Sequence, residues 1–238
     1  QFRSAFFADL VSVLLWTLSY LIIVQTLYVH VETLYGWSRG NLIVLVGIWT
    51  LLDDLLGATV WKGLMELPKA VADGKLDFAL TKPIDSQFFL SAQRFYLVRF
   101  ITAQAGIGIN VYGIILGGIG NDALNLIAFP FILLCGYLLS FCIFMFLQTL
   151  GFWFLRLENI WAVFDGIESI AKYPLEVLGR PMKFITLTIV PLFVAFIFPA
   201  QALLGRLSVL EIMYAPALTV VFLWLTRRFY QYSVRRYS

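Results

Sequence analysis

The sequence predicts an all-α polytopic membrane protein: six transmembrane helices in a single domain over residues 1–238, with both termini in the cytoplasm. Three observations predict it. Of the 238 residues, 61% are hydrophobic and only 13% charged, against roughly half apolar and a quarter charged in soluble domains. Apolar runs approach the length needed to cross about 30 Å of hydrocarbon at about 1.5 Å per residue. They are apolar on every side, as in Leu124 to Leu147, whereas a transmembrane β-strand alternates apolar and polar positions over about ten residues. Finally, fifteen of the 17 Lys and Arg fall on one side of the six-span arrangement, with Arg39 and Arg206 alone on the other. That asymmetry places the basic side inside, and an odd number of spans would destroy it.

In chain order the spans are about 8–29, 41–61, 95–118, 123–150, 182–199 and 209–225. The first is too long for a removable signal peptide and lacks a small-residue cleavage pattern. The chain opens at Gln1 rather than Met, so preceding residues are expected and the first helix is expected to begin earlier. Outer connections are short, at about 31–40, 119–122 and 200–208. The substantial connections, 62–94 and 157–181, both face the cytoplasm. This argues for a cytoplasmic partner and against a receptor for an extracellular ligand.

Within 62–94, Pro68 suits the first turn of a short helix running to Asp73, and Gly74 suits its left-handed end. A second helical turn is expected from Lys75 to Leu80, with Leu76, Ala79 and Leu80 on one face. Pro83 stops it, and Asp85 or Ser86 caps the helix that becomes the third span. The run Gly74-Lys75-Leu76-Asp77-Phe78-Ala79-Leu80-Thr81-Lys82-Pro83-Ile84 is therefore a polar, turn-rich island. It reads either as a solvated loop or as a shaped surface for a partner.

Ionisable groups near membrane depth cost at least about 2.5–3.5 kcal/mol unless paired or hydrated. Asp53 and Asp54 lie toward the inner end of span two, while Arg94 and Arg99 open span three. Ion pairing across this hairpin is one reading. The other is a hydrated vestibule that takes a cationic group or a proton. Adjacent helical residues point about 100° apart, so the two carboxylates are not expected to face one partner equally. Asp9 is expected at the inner interface.

The segment 157–181 reads as an amphipathic helix at the membrane surface. Ile160, Trp161, Phe164, Ile167, Ile170 and Ala171 fall on one face, and Glu158, Asp165, Glu168 and Lys172 on the other. It serves as a packed surface element, a gate or a second partner contact. Gly113 and Gly117 form a small-xxx-small face, for packing within the chain or along a dimer seam. Pro191 is expected to kink span five.

Catalytic and metal chemistry find little support. The single histidine, His30, is too isolated for a histidine metal cluster or a Ser-His-Asp triad. Cys135 and Cys142, seven apart on one helix, sit beyond disulfide reach at about 10 Å. Aromatic residues are ascribed to lipid contact and interfacial belts. The terminal Arg227, Arg228, Arg235 and Arg236 are placed at anionic lipid head groups, and nucleic acid is not an expected partner.

Six spans with a structured loop between the second and third, together with Gly-x-Leu-Asp-x-x-Leu-x-Lys-Pro at Gly74 to Pro83, resemble the permease subunits of ABC-2-type transporters. The similarity points to a bacterial permease group of that class with a type V exporter-like membrane domain. It covers the whole chain in topology, and its motif is confined to Gly74–Pro83. It implies that this loop contains a coupling helix, with Gly74, Lys75, Leu76, Asp77, Lys82 and Pro83 at an interface with a cytoplasmic ATPase. It also implies two permease copies, homo- or heterodimeric, two P-loop ATPase subunits carrying ATP and Mg2+, and a place in the bacterial cytoplasmic (inner) membrane. In agreement, the chain has no Gly-x-x-x-x-Gly-Lys-[Ser/Thr] phosphate loop, so it is expected to be non-catalytic and to bind no cofactor itself. Short outer loops favour export. A membrane scaffold and a lipid-modifying enzyme remain as alternatives.

Overall fold

The computed structural model describes residues 2–120, 122–153, 160–170 and 172–237. Arg156, Glu158 and Ala171 fall outside that set, as do the side chains of Arg3, Asp9, Ile160, Trp161, Ile167 and Ile170. Helix α1 is Phe2–Leu27. A two-stranded hairpin, β1 Thr33–Leu34 and β2 Trp37–Ser38, leads into α2, Arg39–Leu56. The chain continues through a π-helical turn, Gly57–Trp61, into α3 Lys62–Met65 and α4 Leu67–Ala72. Then come α5 Asp77–Leu80, α6 Ser86–Ala92, α7 Leu97–Gly117 and α8 Ala123–Thr149. The chain closes with α9 Ile160–Ile170, α10 Arg180–Phe184, α11 Leu192–Leu203 and α12 Val209–Tyr237.

Four of these stretches are long and apolar enough to cross a membrane: Arg39–Ala72, Leu97–Gly117, Ala123–Phe152 and Val209–Tyr237. A bent pair of helices, Arg180–Ile189 and Leu192–Leu203, makes a fifth if counted as one span. In α1 the described apolar run is Leu15–Leu27. The hairpin before α2 went unread in the sequence. Its turn residues Tyr35 and Gly36 have φ of 51° and 82°, the left-handed pair that closes a two-residue hairpin.

At the centre stand α2 and α11. Every residue of α11 from Leu192 to Ala200 is buried, the mark of a helix apolar all round and enclosed by others. Against α2 packs α7, and the seam is built of glycines. A Cβ on Gly40 would lie 2.3 Å from the Gly117 nitrogen, and one on Gly113 would lie 2.8 Å from the Val44 nitrogen. The small-xxx-small face of Gly113 and Gly117 is thus occupied within the chain.

Three sequence expectations change. Pro191 does more than kink span five. The helices on either side of it are bent by 92°, because Pro191 adopts ψ 48°, outside the helical range, as the cap of α11. At 12 residues, α11 is only about 18 Å long, too short to cross alone. Both ends of the excursion return to Trp37, whose Nε1 donates to Glu176 at 3.1 Å and whose ring lies 5.5 Å below Arg206. The chain therefore enters and leaves this stretch near the Trp37 end of α2.

The segment expected at the membrane surface instead packs α9 on α8 and reaches the α2 side of the bundle at three levels. Phe164 lies beside Trp61, with centroids 6.2 Å apart. Lys172 reaches Tyr20 and Trp49, and Glu176 reaches Trp37. Glu168 and Lys172 are 2% and 8% exposed, so two of the expected solvent-facing residues point inward, toward the charges of α2. Lastly, the helix capped by Asp85 stops at Ala92 and does not continue into α7. Between them Tyr96 donates its N–H to the Ala58 carbonyl at 2.8 Å, a carbonyl in the π-helical turn of α2.

Candidate functional site

Two places concentrate polar chemistry: the island at residues 74–83 and a chamber beside Asp53 and Asp54. In the island, Pro68 sits in the first turn of α4, and Gly74 follows that helix at φ +70°, where a side chain would be strained. Lys75 bonds Asp73 at 2.9 Å. The expected apolar face of the second turn is real, but it faces the core: Leu76 is fully buried and Ala79 nearly so. Gly74, Lys75, Asp77 and Pro83 are exposed. Half-buried Lys82 places its ammonium 3.9 Å from the Phe89 ring centroid and 4.7 Å from that of Phe78. Leu76 therefore anchors the island, while the apolar groups it displays are Phe78, Ile84 and Phe88, at 69%, 53% and 66% exposure. Spacing alone hid these three, because an exposed and a buried phenylalanine look alike in sequence.

The residues that follow the island, Asp85 to Gln87, are held by the C-terminal helix. Where the last span was expected to end near Leu225, α12 continues to Tyr237. Its Arg227 grips Asp85 with both guanidinium nitrogens and also donates to Gln87 at 3.0 Å. Tyr230 donates to Ser86 at 3.1 Å. Arg227 beside it holds the Asp85 carboxyl below the usual carboxylate range, despite partial desolvation. Asp85 in turn caps α6 by accepting from the Phe88 N–H at 3.0 Å. On the same stretch Arg236 covers Trp153 and Tyr232. Arg227 is thus a tie to the start of α6, not the lipid head-group contact the sequence led us to expect. The residues of this presumed tail carried no periodic signal of their own.

The chamber, about 390 Å³, lies among α1, α2, α7 and the segment through α9. Its walls include Trp16, Thr17 and Tyr20 of α1, Trp49, Thr50, Asp53 and Asp54 of α2, with Trp61 below, Arg99 of α7, and Asp165, Ser169 and Lys172. One nitrogen of Arg99, Nη1, donates to Asp53 at 3.0 Å and to Asp54 at 2.8 Å. The two carboxylates do share a partner, contrary to the 100° argument. A long arginine arriving between them from α7 reaches both, and Gly57 leaves it room, since a Cβ there would meet Arg99 Cδ at 3.3 Å. Arg94 takes no part; it pairs with Glu66 at 3.0 Å. Lys172 donates to the Tyr20 hydroxyl at 2.6 Å and lies 3.9 Å from the Trp49 centroid. Glu168 faces Asp53 and Lys172. The missed signal was there: Glu168 and Lys172, four apart, interrupt an otherwise apolar run.

Among the described residues no three His, Cys, Asp or Glu side chains converge as metal ligands. Cys135 and Cys142 are free thiols. A family model described as ABC-2 family transporter protein matches residues 14–238. No curated protein and no solved structure matches the chain.

Proposed function

The chain belongs to the ABC-2 family of transporter proteins, so it is an integral membrane permease of an ABC transporter, and from that premise we propose an exporter subunit driven by a separate ATPase. Two copies, or one with a homologous permease, enclose the path, and two cytoplasmic P-loop subunits bind ATP and Mg2+. The membrane is the bacterial inner membrane, with both termini on its cytoplasmic side. Six crossings remain, but drawn differently from the hydropathy reading: α1, α2, α7, α8, the segment from α9 to Glu176, and α12. The Pro191 pair becomes a re-entrant excursion from the outer side. Twelve of the 17 Lys and Arg still fall on the cytoplasmic side, which keeps the positive-inside bias.

One observation carries the coupling role. The start of α6, next to the island, is bonded to α12 through Asp85 to Arg227 and Ser86 to Tyr230, and the island and α6 together display Phe78, Ile84 and Phe88 to solvent. Exposed aromatics on a well-held base suit a groove on a partner. Movement of that partner on ATP closure then pulls α12 together with α2 and α7. The test is co-purification of the P-loop subunit with the permease. Phe78→Glu with Phe88→Glu should abolish it while leaving the permease folded, since neither side chain is buried. Retained recruitment in that double variant would refute this docking surface, and a permease that never recruits an ATPase would refute the coupled-exporter reading.

A further inference from the structure

Acidic side chains outnumber basic ones around the chamber among the described residues. Asp53, Asp54 and Asp165 line it, with Glu168 beside Asp53, against Arg99 and Lys172 among the described residues. Asp54 and Glu168 are 1% and 2% exposed, and Asp54 Oδ2 and Glu168 Oε1 accept no hydrogen bond. Buried carboxylate oxygens without donors are costly and favour an added cation. The walls also suit one. The Lys172 ammonium already sits between the rings of Tyr20 and Trp49, 4.4 and 3.9 Å from their centroids, the arrangement that attracts a cation to an aromatic face. A volume of about 390 Å³ far exceeds what one ammonium fills and falls within the usual range of roughly 300–1,000 Å³ for small-molecule sites. With no three carboxylates converging as ligands among the described residues and with indole walls, the chamber does not fit a bare metal ion.

We propose that this chamber binds a monovalent organic cation with apolar substituents, Asp53 with Glu168 bonded behind it supplying the counter-charge, Trp49 and Tyr20 the aromatic wall, and Lys172 standing in the site as a built-in competitor. As a cargo site it rests on the permease reading above; as a binding site it does not.

Tetraphenylphosphonium is a suitable probe, with tetraphenylborate as an anion of the same shape. Binding of radiolabelled tetraphenylphosphonium to the purified permease in detergent, without any ATPase, should be saturable and resistant to tetraphenylborate. Asp53→Asn with Glu168→Gln should weaken it by at least about tenfold, since a buried counter-charge is removed. Lys172→Met, which takes away the resident cation, should strengthen it several-fold. That gain is a readout a misfolded protein would not produce, and size-exclusion profiles check the fold of the acid variant. No saturable binding, equal competition by tetraphenylborate, or unchanged affinity in Lys172→Met would overturn the proposal. Binding without ATP-dependent movement in proteoliposomes holding the ATPase would count against the coupled-exporter reading and leave the chamber standing; ATP-driven transport of another solute with no tetraphenylphosphonium binding would do the reverse.

Discussion

Two arginines, Arg99 and Arg227, each hold aspartate on a neighbouring element, and their settings differ. Arg99 bridges Asp53 and Asp54 inside the bundle, where Asp54 is 1% exposed. Arg227 grips Asp85 at the rim, with the two side chains 40% and 42% exposed. The chemistry is the same, but desolvation is not. In the bundle, loss of Arg99 leaves Asp54, at 1% exposure, without its charged partner. At the rim, water replaces what is lost, and the pair adds position more than stability.

The largest effect is therefore expected at Arg99. Arg99→Ala leaves Asp54 buried and Asp53 half-buried without their cation and should cost about 3–5 kcal/mol, read as a large drop in thermal unfolding temperature in detergent. Adding Asp53→Asn and Asp54→Asn should recover most of it; no recovery would show that Arg99 acts by packing and not by charge. Next comes the glycine seam that brings Arg99 to its partners. In Gly40→Leu the new Cβ meets the Gly117 backbone at 2.3 Å, where neither helix can yield by rotating a side chain. About 1–3 kcal/mol of overpacking is expected in the same melt, and an unchanged melt would mean that α2 and α7 do not meet there.

Arg227→Ala should be nearly silent in that assay, at about 0–1 kcal/mol after solvent screening, while ATP-coupled activity falls because the start of α6, next to the island, loses its tie to α12. Exchanging the two charges, Arg227→Asp together with Asp85→Arg, should restore coupling, whereas the equivalent exchange between Arg99 and Asp54 should not restore folding. Equal outcomes would erase the distinction between the two clusters. The smallest effect is in pH. Arg227 lowers the Asp85 carboxyl below its ordinary 3.8, so the folded state holds this proton less tightly than the unfolded chain. The pair's stabilisation is complete above that ordinary value and is lost as pH falls through the depressed one. Asp85→Asn should flatten the loss of stability below about pH 4 only slightly, by comparison of acid melts.

Much of the island could be read directly. Pro68, Gly74 and Asp85 each act through local backbone geometry, and they stand at the turn, the left-handed residue and the cap that their chemistry predicts. The direction in which the island faces could not be read. Leu76 and Phe78 are both apolar neighbours of Asp77, yet one is enclosed and the other exposed, a choice made by the packing of this stretch on α6 and the core. The chamber was half legible. Charge at membrane depth singled out Asp53, Asp54 and Arg99, but Arg94 followed Glu66, and Lys172 and Glu168 were assigned to water. Their burial depends on the segment after α9 running beside α2, a contact between residues over a hundred positions apart.

Composition, apolar run length and the distribution of Lys and Arg are additive properties, fixed by the solvent each residue prefers. They suffice for a helical membrane protein with a basic face and a polar island there. Which apolar run breaks, which charged residues turn inward and which helix holds the start of α6 are set by packing among distant segments. A buried lysine or a 92° break is stable only in the presence of its neighbours, and no local pattern encodes them.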